Sequence, residues 1–128
     1  MTERLPLILI VDDSARNRKL AAELLHVAGF RTLEAESAAG AIALASEHLP
    51  DVILMDLRLP DLDGREAAQI LNADSRTSRI PVVAMTALRL DGQEDWLREA
   101  GFAGYVTKPI DIDAFPELVR GFCRRDPV

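Results

Sequence analysis

Asp12 and Asp13 stand side by side after the apolar run Leu7–Val11, while Asp56, Thr86 and Lys108 each close a further short apolar run. If those runs lie together, three carboxylates, a hydroxyl and an ammonium share one edge. Carboxylates crowded into a cleft repel one another and titrate high unless a hard cation neutralises them, so a divalent metal is implied. Oxygen-only ligation with positions left for water and a phosphate suits Mg²⁺. Such an ion would keep Asp12 and Asp13 ionised and shield Asp56 so that an anionic phosphoryl group could approach it. Lys108 adds a point cation for one phosphoryl oxygen and Thr86 a hydroxyl donor for another. Asp56 is then the nucleophile that becomes an aspartyl phosphate.

Each residue alone has a plainer use. An Asp pair ahead of a helix is most often a cap facing the helix dipole. Thr86 can cap the segment after it, and Lys108 can be a solvated surface lysine. Asp56 in "MDLRLP" has no capping duty. Four such positions at strand ends are hard to assign to accident.

The elements that must position these groups are legible as alternating segments. Leu7–Val11, Val52–Met55 and Val82–Met85 are short runs rich in Ile, Val and Leu, as expected of strands buried on both faces; Arg31–Ala35 and Tyr105–Thr107 are weaker strand candidates. Helical spacing separates them. Leu20, Leu24, Leu25 and Ala28 precede Gly29, a helix-ending residue. Residues 37–48 place Ile42, Ala45 and Leu49 on one side, and residues 64–71 place Ala67, Ala68 and Leu71 on another. A fourth helix starts at "DGQE", capped by Asp91 with Glu94 returning the bond, and carries Trp96, Leu97 and Ala100. The last begins near Asp113 with Phe115, Leu118, Val119, Phe122 and Cys123 as its apolar face. Five strand–helix alternations without a tight hairpin imply an α/β, doubly wound parallel sheet with right-handed crossovers and helices on both faces. Ligands of such sheets lie beyond the carboxyl ends of the strands, where Asp12, Asp13, Asp56, Thr86 and Lys108 fall.

With 128 residues, 48% hydrophobic and 28% charged, the chain has the size of one domain. Its net charge of -6 and lack of a basic run argue against direct nucleic-acid binding. One cysteine excludes an internal disulfide, and no secretion signal or membrane-length apolar run is present, so a cytoplasmic location is expected. Trp96 and Phe102 read as packing residues, His26 and His48 as surface or helix-end groups away from the acidic cluster, and Cys123 as a buried, inert thiol.

Taken together, "ILIVDDS" at 8–14, "DVILMDLRLPDLDG" at 51–64, "VVAMTAL" at 82–88 and "YVTKPID" at 105–111 resemble the receiver domain of bacterial two-component response regulators, the CheY-like superfamily. The pieces span nearly the whole chain, in order and at family-like distances. The resemblance implies a flavodoxin-like three-layer sandwich, five parallel strands in the order 2-1-3-4-5 with five helices, and one receiver domain over residues 1–128 with no output domain. It implies Asp56 as phosphoacceptor, Asp13 as a direct Mg²⁺ ligand, Asp12 as a ligand acting largely through water, and the Arg58 backbone carbonyl as the third protein ligand. Thr86 and Tyr105 match the switch pair, Lys108 the family's lysine, and the Lys108–Pro109 bond its cis peptide. Ala87 should leave the site open, while Arg58 and Leu88 occupy places that tune phosphate lifetime; a bulky basic side chain at Arg58 would shadow the line of water attack. Asn17 resembles an asparagine common in receivers fed by hybrid kinases.

The function so implied is phosphoacceptor signalling by a module that assists its own phosphorylation and dephosphorylation and is not otherwise an enzyme. The donor would be a phosphohistidine on a sensor histidine kinase or a phosphotransfer protein. Output would be a protein contact through helix four, strand five and helix five, or phosphorelay, with the chain monomeric or dimerising on phosphorylation. "KPIDIDAF" leans toward the DivK-like single-domain regulators. A haloacid dehalogenase-type phosphatase would need a second Asp two residues after the nucleophile, where this chain has Arg58. A phosphate-independent scaffold would usually have lost an acidic residue, the Thr or the Lys, and none is lost.

Overall fold

The structure, a computed structural model, describes residues 5–87 and 94–123. The capping pair expected at Asp91 and Glu94 and the lifetime position at Leu88 fall outside the described residues or side chains. Strands and helices alternate as β1 (Leu7–Val11), α1 (Ala15–Val27), β2 (Arg31–Ala35), α2 (Ala38–His48), β3 (Val52–Asp56), α3 (Gly64–Ala73), β4 (Val82–Thr86), α4 (Glu94–Glu99), β5 (Gly104–Thr107) and α5 (Phe115–Phe122). All strands are parallel, in the order β2-β1-β3-β4-β5. That is the expected fold and strand order.

The period-two pleat explains why the central strands are apolar throughout. On β1, Ile8 and Ile10 face a core completed by Ala21, Ala22 and Leu25 of α1 and Phe115 and Val119 of α5. Leu9 and Val11 face the opposite core, completed by the alanines of α2, Leu71 of α3 and Leu97 of α4. Strands β3 and β4 are likewise buried at every position, Asp56 and Thr86 included. Edge strand β2 is only partly covered, the reason for its weaker apolar signal.

Four packing expectations change. Leu49 does not join the buried face of α2; it caps the helix in the left-handed conformation at φ 48° and lies exposed, and Ala38, Ala41 and Ala45 form the buried stripe. Leu118 is exposed, leaving Phe115 and Val119 to anchor α5, which starts two residues later than expected because Asp111 first ties up the N–H groups of Asp113 and Ala114. Cys123 is partly exposed where burial was expected. Trp96 is exposed, its ring lying under the Arg65 guanidinium at 5.3 Å, whereas Phe102 is buried as expected.

Candidate functional site

The parallel register brings the carboxyl ends of β1, β3 and β4 level, so residues 29 and 44 apart in sequence become neighbours, as in Asp56–Met85 and Val11–Met55. Carboxylate oxygens of Asp12, Asp13 and Asp56 all lie within 4.8 Å of one another. Asp12 and Asp56 are buried and Asp13 is exposed. Capping does not account for the pair after β1, because the N-cap of α1 is Ser14, whose hydroxyl accepts the Asn17 N–H.

Asp12 is held from several sides. Its Oδ1 accepts the Ser14 N–H at 2.9 Å, its own N–H donates to the Ala35 carbonyl, and its carbonyl accepts Arg18 Nη1 at 2.7 Å. Asn17 Nδ2 reaches Asp12 Oδ2 at 3.4 Å. Arg18 also pairs with Glu34 at 3.1 Å, so one guanidinium ties the β1–α1 turn to β2. Asp56 Oδ1 accepts the Arg58 N–H at 3.0 Å, which fixes the carboxylate against the loop that follows β3.

Lys108 closes the constellation. Its Nζ donates to Asp12 Oδ2 at 2.8 Å and to Asp56 Oδ2 at 3.1 Å, and its peptide bond to Pro109 is cis. Burial by itself pulls the ammonium's pKa down, but the hydrogen bonds it donates to Asp12 and Asp56 outweigh it and leave the group raised above its ordinary value. Three carboxylates less one ammonium leave two formal negative charges in the notch. The donor set, all oxygen and doubly negative, fits a hard divalent cation such as Mg²⁺. Asp13, Asp56, Arg58, Thr86, Ala87 and Lys108 line a cleft of about 350 Å³ beside it. Among the described residues, the structure thus brings Asp12, Asp13, Asp56, Arg58, Thr86 and Lys108 to one edge, and Tyr105 lies apart from them. That residue pairs across from Ala84, two positions before the Thr86–Thr107 pair, and packs partly buried against the α2–α3–α4 core.

The loop after β3 is more constrained than its sequence discloses. The Gly64 N–H donates to the Leu57 carbonyl at 3.0 Å, and Arg58 bridges Asp63 in antiparallel fashion. A Cβ on Gly64 would stand 2.7 Å from the Asp56 carbonyl oxygen and 2.9 Å from Leu57 Cα, so only glycine lets α3 start this close to the end of β3. At the loop's tip, Asp61 Oδ1 and Oδ2 accept the N–H groups of Ala38 and Ala39 at 2.9 and 3.0 Å. Those two bonds, Ala38's first, hold the Asp61 carboxyl below its ordinary value. Arg18, Gly64 and Asp61 were given no role of their own from sequence, although Asp61 and Gly64 lie within the quoted "DVILMDLRLPDLDG" stretch. His26 bonds Thr32 and His48 lies at the end of α2, both outside the notch as expected.

Comparison with known proteins gives the same picture from another direction. Residues 8–120 match the family model described as the response regulator receiver domain. The chain is 37% identical to the polar-differentiation response regulator DivK of Brucella ovis over 90% of its own length and 94% of that protein's. Among solved structures, the chemotaxis response regulator CheY4 of Vibrio cholerae superposes with a TM-score of 0.87 at 23% identity, covering 93% of this chain and 99% of that one. The receiver domain of the sensor histidine kinase PA1611 from Pseudomonas aeruginosa PAO1, which holds a magnesium ion in its active-site cleft, gives 0.83 at 29% identity over 94% and 98% of the two chains.

Proposed function

This chain belongs to the response regulator receiver domain family, and on that premise we propose that it signals by taking a phosphoryl group onto Asp56 from a phosphohistidine of a sensor kinase or phosphotransfer protein. The observation that carries the proposal is the ammonium of Lys108 bridging Asp12 and Asp56, 2.8 and 3.1 Å away, at the rim of an acidic notch. An Asp56 carboxylate oxygen forms the new O–P bond as the P–N bond to the donor imidazole breaks. The imidazole nitrogen keeps the electron pair and takes a proton from solvent.

The transferred group is metaphosphate-like in the transition state, with its charge spread over three oxygens. Lys108 Nζ neutralises one of those oxygens and the Thr86 hydroxyl donates to another. Asp12, Asp13, Asp56 and the Arg58 backbone carbonyl would hold Mg²⁺, which neutralises charge on the incoming phosphoryl group when bound. Asp12 stays oriented throughout, because Ser14 and Asn17 hold its carboxylate and Arg18 its carbonyl. Ala87 presents only a methyl group at the mouth, which leaves room for the donor histidine or for water. With phosphate in place, Thr86 turns toward it and Tyr105 turns inward, altering the face made by α4, β5 and α5 that a target protein reads.

The test is incubation with Mg²⁺ and a small acyl phosphate, followed by intact mass measurement of wild type and Asp56→Asn. One added phosphoryl group in wild type alone is expected. Equal uptake by the variant, or none by wild type, overturns the assignment; steady release of inorganic phosphate from small phosphate esters would instead favour a phosphatase.

A further inference from the structure

We propose that Asp61, outside the acidic notch, is a positioning residue that sets metal affinity by anchoring the Arg58 loop to the N-terminus of α2. The inference rests on the reading of the notch as a Mg²⁺ site with Arg58 as a backbone ligand. Arg58 and Asp61 are three residues apart in one short loop whose base is closed by the bond from the Gly64 N–H to the Leu57 carbonyl. The base alone does not fix the tip. The tip is fixed by Asp61, whose two oxygens take two of the four N–H groups that a helix start leaves without partners.

Two features set this apart from ordinary capping. Helix α2 already has a cap of its own, Ser37, whose Oγ accepts the Gly40 N–H at 3.1 Å. Asp61 comes from a segment 22 and 23 residues away, so its bonds constrain the loop as much as the helix. A backbone carbonyl can be aimed only by fixing the peptides on either side of it. The Arg58 N–H is held by Asp56, and Leu59 and Leu62 pack against the core. Asp61 supplies the remaining restraint, and its attraction to the α2 N-terminus is electrostatic as well as geometric. Coupling is reciprocal: a cation that draws the loop into place also strengthens the bonds to Ala38 and Ala39.

The experiment measures Mg²⁺ binding by calorimetric titration for wild type, Asp61→Ala, Asp61→Asn and Ser37→Ala, with amide spectra of Ala38 and Ala39 recorded through the titration. Asp61→Ala is expected to weaken Mg²⁺ binding about tenfold, the low end for groups that orient a ligand from outside the coordination sphere. Asp61→Asn, which keeps one acceptor oxygen, recovers part of the loss. Ser37→Ala destabilises α2 but leaves Mg²⁺ affinity unchanged. In wild type the Ala38 and Ala39 amides shift with Mg²⁺, and in Asp61→Ala they do not. Wild-type affinity in Asp61→Ala, or an equal loss in Ser37→Ala, overturns the proposal while the metal site stands. Failure of wild type itself to bind Mg²⁺ overturns the metal site and the proposal together.

Discussion

Gly64→Ala should destabilise the protein, and Gly121→Ala should stabilise it, although both replace glycine by alanine in a helix. Gly64 is the buried first residue of α3, and a methyl group there meets the Asp56 carbonyl oxygen at 2.7 Å, Leu57 Cα at 2.9 Å and the Leu57 carbonyl oxygen at 3.3 Å. All three are backbone atoms, so no rotamer change relieves the overlap. Overpacking of this kind costs about 1–3 kcal/mol. Alanine recovers at most about 1 kcal/mol through helix propensity and a less flexible unfolded chain. The net is a loss of about 0.5–2 kcal/mol, which lowers Tm by about 2–8 °C in a domain of this size. Gly121, exposed on α5, has no atom within 4 Å of the same methyl position, so only the favourable part remains, about 0.5–1 kcal/mol. Urea denaturation compares the midpoints directly, with an unchanged slope confirming that the unfolded states match. The Asp56 carbonyl belongs to the proposed acceptor residue, so Gly64→Ala should also slow phosphoryl uptake while Gly121→Ala does not. A Gly64→Ala protein as stable as Gly121→Ala would refute the close approach of α3 to β3.

Arg18→Ala should cost about 1–2 kcal/mol by thermal denaturation, since it removes charge-assisted bonds to the Asp12 carbonyl and to Glu34; Arg18→Lys should not restore it, because an ammonium cannot fork to both. Arg58→Ala should shorten the lifetime of the phosphorylated protein, measured as loss of the phosphoryl mass with time; an unchanged lifetime removes the shadowing role of this exposed side chain beside the cleft. The folded-state pKa of Asp61 is depressed, so the stability it contributes is present above its unfolded value and is lost as pH falls through its folded value. Wild type should therefore exceed Asp61→Ala in stability at neutral pH, with the gap narrowing below about pH 4; a gap constant down to pH 3 would contradict the bonds to Ala38 and Ala39.

How much was legible depended on whether a residue acts by its type or by its place. Strands β1, β3 and β4 announced themselves because both faces are buried, which forces apolar residues at every position up to the polar end. The notch was legible because Asp, Thr and Lys at strand ends have little structural use in that combination. Leu49 was misread because helical spacing cannot see that the chain turns left-handed at that residue and carries the side chain outward. Trp96 was misread because α3 offers Arg65 as a cationic lid on its exposed ring, a pairing of residues 31 apart in sequence. Arg18 and Asp61 escaped notice for a common reason. Their principal partners are backbone groups, a carbonyl for one and two amides for the other, and backbone groups leave no mark in a sequence.

The acidic notch is costly to an isolated chain, and that cost underlies the proposed function. Two charged carboxylates within 4.8 Å of one another repel by at least about 3 kcal/mol at an effective dielectric constant near 20, and Lys108 offsets only part of it. The fold tolerates the remainder because Ser14, Arg18, Arg58 and the sheet register hold each member where it is. On the proposed reading, a divalent cation would be bound without moving its ligands, and an incoming phosphoryl group would meet the Lys108 ammonium already in place. Phosphorylating Asp56 replaces a singly charged carboxylate with a more highly charged group at the same spot. In the unphosphorylated structure the Lys108 ammonium is shared between Asp12 and Asp56, so the added charge would call on further donors. The response proposed above is rotation of the Thr86 hydroxyl, on the strand whose neighbour carries Tyr105. On the proposed reading, the same fixity that makes the site receptive would pass the change outward to the edge of the sheet.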